Sequence, residues 1–392
     1  MNLSLQEAIH QALSVNPQLA MAQGRVEDAR GQRVQAGLSP NPRLVLQSED
    51  VRFWGSQPHS FANTTEDYGY IGQVIESGGK RLRRLDVATS GEHRAQLDQE
   101  LTRRQLAVNV ATAYWSAAGA ARIRDLLQEN LQTYREDVRY GRNRVQEGVM
   151  AEADLMRIEL ERDRVQIDAL AGAREADQAM VNLYRALGKS DFPQTVLTDS
   201  LDNVHAATIP ELTHVLQIRP ELLMARETVN QAEANVRLQR ANARTDPQVF
   251  AGYKRTIGLD TLYGAVQIDL PLRNRNQGNI GSAEAQVRVA QASLRATEAG
   301  VKADVEAATR AYQDEQLVLD TLPATKARAQ EAERLARSAY REGAIDLLRL
   351  LDAERNRIEV EVQYYRALVG VRQSVVNLMV AGGESMAGSV TP

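Results

Sequence analysis

The residues that most often carry enzyme chemistry are few and scattered in this chain. None of the 392 residues is a cysteine, which excludes disulfides and thiolate metal ligands. No two histidines stand three or four positions apart, the spacing that would place them on one helix face. They are His10, His59, His93, His205 and His214. Without a catalytic triad, paired catalytic carboxylates or a metal-ligand cluster, the sequence predicts a protein that is not an enzyme and has no cofactor and no bound metal.

Two other sequence features could bind a ligand, but their context does not support a binding site. Met150 and Met156 carry thioethers, which bind soft cations such as Cu(I). Packing explains both methionines without a ligand. The run Ser77-Gly78-Gly79-Lys80 lacks the full spacing of a phosphate-binding loop, so it predicts no nucleotide site.

Composition and charge exclude further classes of protein. The chain has 51 acidic and 47 basic residues and a formal net charge of -4, so it lacks the basic footprint of a nucleic-acid binder. No run of 18 apolar residues occurs, and no transmembrane helix is predicted. Aromatic residues make up only 5% of a composition rich in helix formers, which is typical of long helices packed side by side. The chain opens directly with a predicted helix, so no export segment is predicted within it.

The chain contains an internal duplication. Shifted by 195 positions, the ends of its two halves align without a gap. The matches include Glu147-Gly148 with Glu342-Gly343, Glu159 with Glu354, and Val181-Asn182-Leu183 with Val376-Asn377-Leu378. The starts of the halves match at a slightly different offset, where Asn16-Pro17 corresponds to Arg219-Pro220. These matches predict two structural repeats, residues 1–203 and 204–392.

Each repeat predicts a helix, a strand pair and a long helical hairpin. The capping boxes Ser4-x-x-Glu7 and Thr208-x-x-Glu211 begin the first helices, which Pro17 and Pro220 interrupt. Period-two alternation predicts strands at residues 43–53 and 68–76, and at residues 248–257 and 262–270. The hairpins are predicted at residues 80–187 and 276–381, with Pro323 expected to kink the second. Their turns fall at Gly148 and Gly343, because glycine tolerates a positive φ.

One chain alone cannot bury the apolar stripes of these helices or pair the edges of these strands. The first helix of a hairpin would be roughly 100 Å long at 1.5 Å per residue, too long for a compact core. Four strands leave open sheet edges, which lipid does not tolerate. Three copies would supply twelve strands, an even number within the range of closed barrels, and a ring of helices that bury one another's apolar stripes. The sequence therefore predicts a tube built from copies of the chain.

The duplicated plan, the long helices and the turn glycines resemble the TolC-type outer membrane factor family over residues 3–383. The most specific segment is residues 340–355, YREGAIDLLRLLDAER, which resembles the inward tip of the family's second hairpin and its returning helix. The segments at residues 37–42 and 73–81 resemble the heavy-metal branch, the cobalt–zinc–cadmium and copper–silver efflux proteins.

The resemblance implies a fold that is mainly α with a small β part. Long α-helical hairpins would form a trimeric 12-stranded α-barrel in the periplasm, and four strands per protomer would form a 12-stranded transmembrane β-barrel in the outer membrane of a Gram-negative bacterium. The implied partners are two further protomers, outer-membrane lipid, an inner-membrane RND-type transporter and a periplasmic adaptor (membrane fusion protein) that contacts the tips at Gly148 and Gly343. It also implies an export signal, and many metal-branch relatives have a lipidated N-terminal cysteine that this chain lacks.

The same resemblance places a periplasmic gate near the hairpin turns. Tyr340 and Asp154 match positions that hold the two hairpins together in the closed channel. Asp352 matches a position that forms an acidic ring at the closed end of the tube. Arg349 stands where the family can have a second acid, and it could pair with Asp352 and cancel its charge. Surface side chains without a gating role are the alternative for all four residues.

The expected function is the exit duct of a tripartite efflux pump, with heavy-metal cations as the favoured cargo. A duct for drug efflux or type I protein secretion would use the same architecture. A periplasmic adaptor also has long helices, but it carries one hairpin and a lipoyl-like β-domain. A soluble coiled-coil scaffold would leave the alternating strands unexplained.

Overall fold

The structure is a computed structural model that describes residues 2–52, 54–55, 60, 64–204 and 206–384. His59, His205 and Phe53 lie outside the described residues. The strand predicted at residues 43–53 ends earlier than predicted, at Glu49, where Asp50 follows with a positive φ of 59°. In chain order the elements are β1 (Asn2–Leu3), α1 (Leu5–Val15), α2 (Pro17–Ala36), β2 (Arg43–Glu49), β3 (Glu66–Val74), α3 (Lys80–Gln146), α4 (Glu152–Leu187), β4 (Val196–Leu197), α5 (Leu212–Ile218), α6 (Pro220–Asn242), β5 (Gln248–Thr256), β6 (Leu259–Gln267), α7 (Gln277–Arg341) and α8 (Leu347–Ala381).

The fold is mainly helical with a small sheet part, as predicted, and it divides into two compact units. A helical unit comprises Met1–Met21, Glu100–Pro220 and Glu298–Pro392. A sheet unit comprises Ala22–Gln99 and Glu221–Thr297. Both predicted repeats contribute residues to each unit, and the division of the chain into repeats at residue 203 stays a prediction.

The sheet unit contains a four-stranded antiparallel sheet in the order β2-β3-β5-β6. The pairing of β3 with β5 joins the strand pair of the first half to that of the second. β6 begins three residues earlier than predicted because Ile257 and Gly258, both with positive φ, form the tight turn that fixes its register against β5. It ends at Gln267, opposite the first residue of β5, so the apolar alternation beyond this point has no strand to pair with.

The two faces of this sheet differ in chemistry. One face is apolar and exposed, with Leu46 77% and Leu262 94% accessible. The opposite face carries aromatic rings in edge contact, including Tyr68 with Tyr263 and Tyr70 with Phe250. Large exposed apolar surface on a folded protein indicates contact with another protein or with lipid.

The helical unit is built around two hairpins, α3 with α4 and α7 with α8. Its main core contains apolar side chains from all four helices and from α1, among them Ile9, Val110, Trp115, Leu183, Leu319 and Leu368. α7 continues through Pro323 without interruption. None of the helices in the described part of the chain combines the length and the apolarity needed to cross a lipid bilayer.

The first helices of the two halves begin differently. α1 has the predicted capping box, in which the Ser4 hydroxyl accepts from the Glu7 amide and the Glu7 carboxylate accepts from the Ser4 amide. The capping box predicted from Thr208 to Glu211 is wrong, because α5 begins at Leu212 with Glu211 as its N-cap and without a side-chain cap bond. Pro210 explains the later start, since a residue before proline is held in extended conformation.

The ends of the returning helices are closed by matching contacts. The Asn16 side-chain amide donates to the carbonyl of Ala186 at the end of α4, at 3.1 Å. The buried Arg219 guanidinium donates to the carbonyls of Val380 and Ala381 at the end of α8, at 3.2 and 3.0 Å. Both contacts satisfy carbonyls that a helix C-terminus leaves without an internal partner. Pro17 and Pro220 begin the next helices, as the sequence predicted.

Tyr114 connects α3 to the start of the chain. Its hydroxyl is buried and lies 2.7 Å from Asp199 Oδ2 and 3.0 Å from the carbonyl oxygen of Leu3. Asp199 also accepts a hydrogen bond from the Leu5 amide at 2.6 Å. Burial raises the pKa of Tyr114, so the hydroxyl stays protonated and can donate.

We expect Tyr114→Phe to lower the free energy of unfolding by about 1–2 kcal/mol, because it removes a buried hydrogen bond to a charged group without creating a cavity. The measurement is denaturant unfolding followed by circular dichroism in detergent. Tyr140→Phe is the matched control, because Tyr140 is 54% exposed. Equal stability of the two variants would contradict this role for Tyr114.

Candidate functional site at the hairpin turns

The turns of the two hairpins have the same geometry. Gly148 and Gly343 have φ values of 72° and 73°. The amide of each glycine donates three residues back, and the amide of the next residue donates five residues back, from Val149 to Arg144 and from Ala344 to Ala339. This is the Schellman arrangement that ends a helix at a left-handed residue.

The turn glycines are required by conformation and not by crowding. A Cβ on Gly148 or Gly343 would meet no atom within 4 Å, so only the positive φ selects glycine. The backbone at both tips is therefore open to a partner. A contact of an adaptor with these glycines stays a prediction.

The structure brings Tyr340 and Asp154 near one another without joining them. Burial is the main cause that raises the pKa of the Tyr340 hydroxyl, and the negative charge of Asp154 also raises it. Within the described residues no hydrogen bond links the two side chains. Asp154 instead pairs with Arg157, one helical turn along α4, at 3.5 Å. Their role as a latch stays a prediction.

Arg349 and Asp352 lie at the start of α8 and both are exposed. The Arg349 amide donates to the Asp346 side chain, which is the N-cap of α8, at 3.0 Å. Asp352 accepts a hydrogen bond from Asn356 at 3.4 Å. Among the described residues no ion pair joins Arg349 to Asp352, so the charge of Asp352 is not cancelled in the way that the spacing allowed.

A cavity of about 390 Å³ lies between the two hairpins just behind their turns. Side chains from α3, α7 and α8 line it, including Tyr134, Asp137, Tyr140, Arg337, Tyr340 and Leu351. Met150 also lines this cavity and packs against the neighbouring core, as the sequence predicted. Met156 does not pack, because 60% of it is exposed.

Sequence reasoning missed a buried ion-pair network beside this cavity. Arg337 of α7 contacts Glu354 of α8 at 2.6 Å and Glu333 at 2.8 Å. It also contacts Asp137 of α3 at 3.4 Å, which connects the two hairpins. A second connection between the hairpins is the pair of Arg355 on α8 with Glu161 on α4, where Nε and Oε1 are 2.7 Å apart.

Glu354 is the most deeply buried member of the network, with 3% of the residue exposed. Burial raises its pKa to about 7, which outweighs the opposite effect of the Arg337 charge. Its Oε2 has no well-formed hydrogen bond in the described part of the chain, although the Tyr134 hydroxyl lies beside it. Burial also raises the pKa of Asp137.

A signal for Glu354 was present in the sequence. Leu347, Leu350 and Leu351 form an apolar stripe at helical spacing, and Glu354 continues the same stripe. A carboxylate on the buried face of a helix is rarely left unpaired. The sequence does not show which of the many arginines would reach it.

The described residues hold no group of three or more His, Cys, Asp or Glu side chains placed to bind a metal ion. The site therefore consists of charged side chains, aromatic rings and two open turns.

Residues 8–189 and 212–384 match the family described as Outer membrane efflux protein. Because these two stretches cover most of the chain, it belongs to this family, and the resemblance inferred from the sequence is confirmed. The chain is similar to the cobalt-zinc-cadmium resistance protein CzcC of Cupriavidus metallidurans, with 24% identity over 383 residues, or 96% of this chain and 89% of CzcC.

Two further comparisons agree. The cation efflux system protein CusC of Escherichia coli is 26% identical over 370 residues, which cover 89% of this chain and 79% of CusC. A crystal structure of CusC superimposes with a TM-score of 0.84 at 20% identity, over 97% of this chain and 92% of CusC. The likeness to this structure shows the fold.

We expect the Glu354 carboxyl to make stability depend on pH. Its pKa is raised in the folded state, so between about pH 4.5 and 7 the folded state binds more protons than the unfolded state. The free energy of unfolding should therefore fall as pH rises through this window, by on the order of 2–3 kcal/mol from this group. Glu354→Gln should remove that contribution, measured by denaturant unfolding at a series of pH values.

Glu159→Gln is the matched control. Glu159 pairs with Arg142 in the first hairpin as Glu354 pairs with Arg337 in the second, but its side chain is 31% exposed and that of Arg142 is 57% exposed. The control should keep the pH profile of the wild type. A profile that is the same for Glu354→Gln and wild type would contradict the buried, protonated Glu354.

Proposed function

We propose that this protein is the outer-membrane exit duct of a tripartite efflux pump. It acts as a homotrimer that passively conducts its cargo across the outer membrane of a Gram-negative bacterium. The observation that carries the proposal is the membership of nearly the whole chain in the outer membrane efflux protein family. The CusC structure, which is described as forming a transmembrane channel, supports it through the shared fold.

The sheet unit supports a trimer on physical grounds. Its outer strands β2 and β6 each have one unpaired edge, and one face of the sheet is apolar and exposed. In lipid every backbone donor and acceptor must be paired, which a closed barrel achieves. Three copies of the four strands would close a 12-stranded β-barrel, with the apolar face toward lipid. The helical hairpins of the same copies would form the 12-stranded α-barrel.

Heavy-metal cations are the proposed cargo. The relatives are named for resistance to cobalt, zinc and cadmium and for cation efflux. The cargo would enter from an inner-membrane RND-type transporter through a periplasmic adaptor. The adaptor would dock at the hairpin tips, where the backbone of Gly148 and Gly343 is open to contact.

The proposed gate lies at these tips. Tyr340 and Asp154 would latch the two hairpins in the closed channel, with Asp154 exchanging Arg157 for the Tyr340 hydroxyl. Asp352 would contribute to an acidic ring around the axis, which concentrates cations at the entrance. Arg349 lies one turn away and forms no ion pair with Asp352 in the described residues. Its positive charge would oppose that effect.

Conductance in a planar bilayer tests the channel and its latch. Purified trimer should give small, discrete conductance steps. Asp154→Ala/Tyr340→Phe should give larger steps, because it removes a hydrogen bond worth about 1.5–3 kcal/mol that favours the closed state. Tyr140→Phe is the control, because Tyr140 lines the same cavity outside the proposed latch. Conductance that is equal in all three would discard the latch, and a water-soluble protein without conductance would overturn the function.

The acidic ring makes a separate prediction. In a gradient of zinc chloride, Asp352→Asn should shift the reversal potential toward anion permeability, because it removes one negative charge per protomer. Arg349→Gln should shift it in the opposite direction. Reversal potentials that do not change in either variant would show that neither side chain faces the permeation path.

A further inference from the structure

The cavity between the two hairpins has a buried wall and an exposed rim. Tyr134, Ile158 and Leu351 line it and are 2%, 5% and 6% exposed. Tyr140 also lines it and is 54% exposed. Its volume of about 390 Å³ falls within the range of pockets that bind small organic molecules. The cavity therefore has room for a molecule the size of a single substituted ring.

One charged side chain belongs to the buried wall. Glu354 lines the cavity and is 3% exposed. Its Oε1 accepts a hydrogen bond from the Arg337 guanidinium at 2.6 Å, whereas its Oε2 has no well-formed hydrogen bond in the described part of the chain. A buried carboxyl oxygen without a donor costs free energy, which a bound donor would recover.

The buried end of the cavity has too little positive charge. The Arg337 guanidinium is shared by three carboxyl groups, at 2.6 Å from Glu354, 2.8 Å from Glu333 and 3.4 Å from Asp137. Burial raises the pKa of Glu354 to about 7 and also raises the pKa of Asp137, in spite of the nearby guanidinium. Near neutral pH, protons therefore take the place of a missing cation.

The other charged groups around Glu354 do not supply this cation. Arg355 on α8 is paired with Glu161 on α4, where Nε and Oε1 are 2.7 Å apart. Tyr134 faces Glu354 from α3, and burial raises the pKa of its hydroxyl, which stays neutral. Three further charged side chains line the cavity where water reaches and screens them: Glu136, Arg144 and Arg341.

The rest of the wall defines what kind of cation fits. A metal ion would find too few ligands, because the described residues include no group of three or more His, Cys, Asp or Glu placed to hold one. The wall near Glu354 is instead apolar or aromatic and includes Leu347, Leu350 and Tyr340. Such a wall favours an organic body next to the charge.

We propose that this cavity binds a primary ammonium compound whose apolar body has about the size of one aromatic ring. The ammonium group donates to Glu354 Oε2 and neutralises the surplus of carboxylate charge beside Arg337. The apolar body packs against Leu350, Leu351 and the ring of Tyr140. The proposal goes beyond the proposed function, because it assigns the protein a bound ligand that is not the cargo it conducts.

The ligand would also connect the two hairpins. Tyr134 and Ile158 belong to the first hairpin, and Leu351 and Glu354 belong to the second. A molecule that contacts both sets binds only while the hairpins are together, so it stabilises that arrangement by its own binding free energy.

Isothermal titration calorimetry of the purified protein in dodecyl maltoside, with phenethylammonium chloride as the probe, tests the site. At about pH 7.5 we expect one probe to bind per chain, after subtraction of a titration into detergent alone. Phenethyl alcohol and hydrocinnamate have the same ring with a neutral and an anionic head group. Both should bind roughly tenfold more weakly, because neither supplies the missing positive charge.

The pH dependence of binding reports on Glu354. The bound ammonium favours the ionised carboxylate, so at low pH the probe must displace a proton. Between about pH 7.5 and pH 5.5 the affinity should therefore fall roughly tenfold, with a proton released on binding at the lower pH. Proton release is measured by repeating the titration in buffers of different ionisation enthalpy. Glu354→Gln should weaken binding roughly tenfold at about pH 7.5 and remove the pH dependence.

Two further variants distinguish the site from a general effect on the fold. Glu159→Gln is the matched control, because Glu159 is the counterpart of Glu354 in the first hairpin and does not line the cavity. It should bind the probe as the wild type does. Tyr140→Ala removes an exposed ring at the rim and leaves the buried network intact. It should weaken binding about fivefold while the pH dependence stays.

The outcomes decide the proposal without reference to conductance. Preference for the cationic probe, lost in Glu354→Gln and kept in Glu159→Gln, would establish the site. Equal binding of the three probes, binding that is unchanged in Glu354→Gln, or no binding of phenethylammonium would each overturn it. The titration needs only the folded protein, so a failure of the duct in the planar bilayer leaves this result as it stands.

Discussion

A long helical hairpin can bury only the face that its own partner and one neighbour cover, and this constraint shapes the helical unit. The second hairpin has its neighbour within the chain, so Leu351, Tyr365 and the Arg337–Glu354 pair are buried. Among the described residues nothing covers the outer face of α4 in the first hairpin, so Met156, Leu170 and the Arg142–Glu159 pair remain exposed. One chain thus contains one contact between hairpins and leaves the outer face of α4 uncovered. The proposed assembly of three copies would cover this face.

The ion pairs between the two hairpins determine which contacts would break if the hairpin tips moved apart. Arg337 and Glu354 belong to the same hairpin and can move together, whereas Asp137–Arg337 and Glu161–Arg355 join the two hairpins. Parting the tips would break the latter two pairs and leave a charged network facing the widened space. Water entering that space would hydrate Glu354 and favour its ionised form, because the raised pKa depends on burial. With the proposed gate, opening of the tips and loss of the Glu354 proton would therefore be linked, and each would favour the other.

The spacing of apolar residues and the positions of proline and glycine carried most of the information about the fold. Long helical patterns predicted both hairpins to within a few residues, and the turn glycines fall where φ is positive. The limits of β6 could not be predicted, because the turn at Ile257 and Gly258 decides its register and apolar alternation continues past Gln267. The Thr208 capping box failed because Pro210 holds the chain extended. The ion-pair network was missed because pairing partners such as Asp137 and Arg337 are separated by 200 positions.

The two halves of the duplication have diverged at the corresponding faces of α4 and α8. The position in α8 that corresponds to Leu160 is Arg355, a half-exposed side chain that pairs with the buried Glu161 of α4. The uncovered face of α4 has the apolar Leu160 at this place, with 70% of the residue exposed. In the proposed ring, a contact through this face would therefore depend mainly on burial of apolar side chains. In the proposed ring of three chains, Glu354, whose pKa is raised by burial, would lie at the contact between hairpins of one chain.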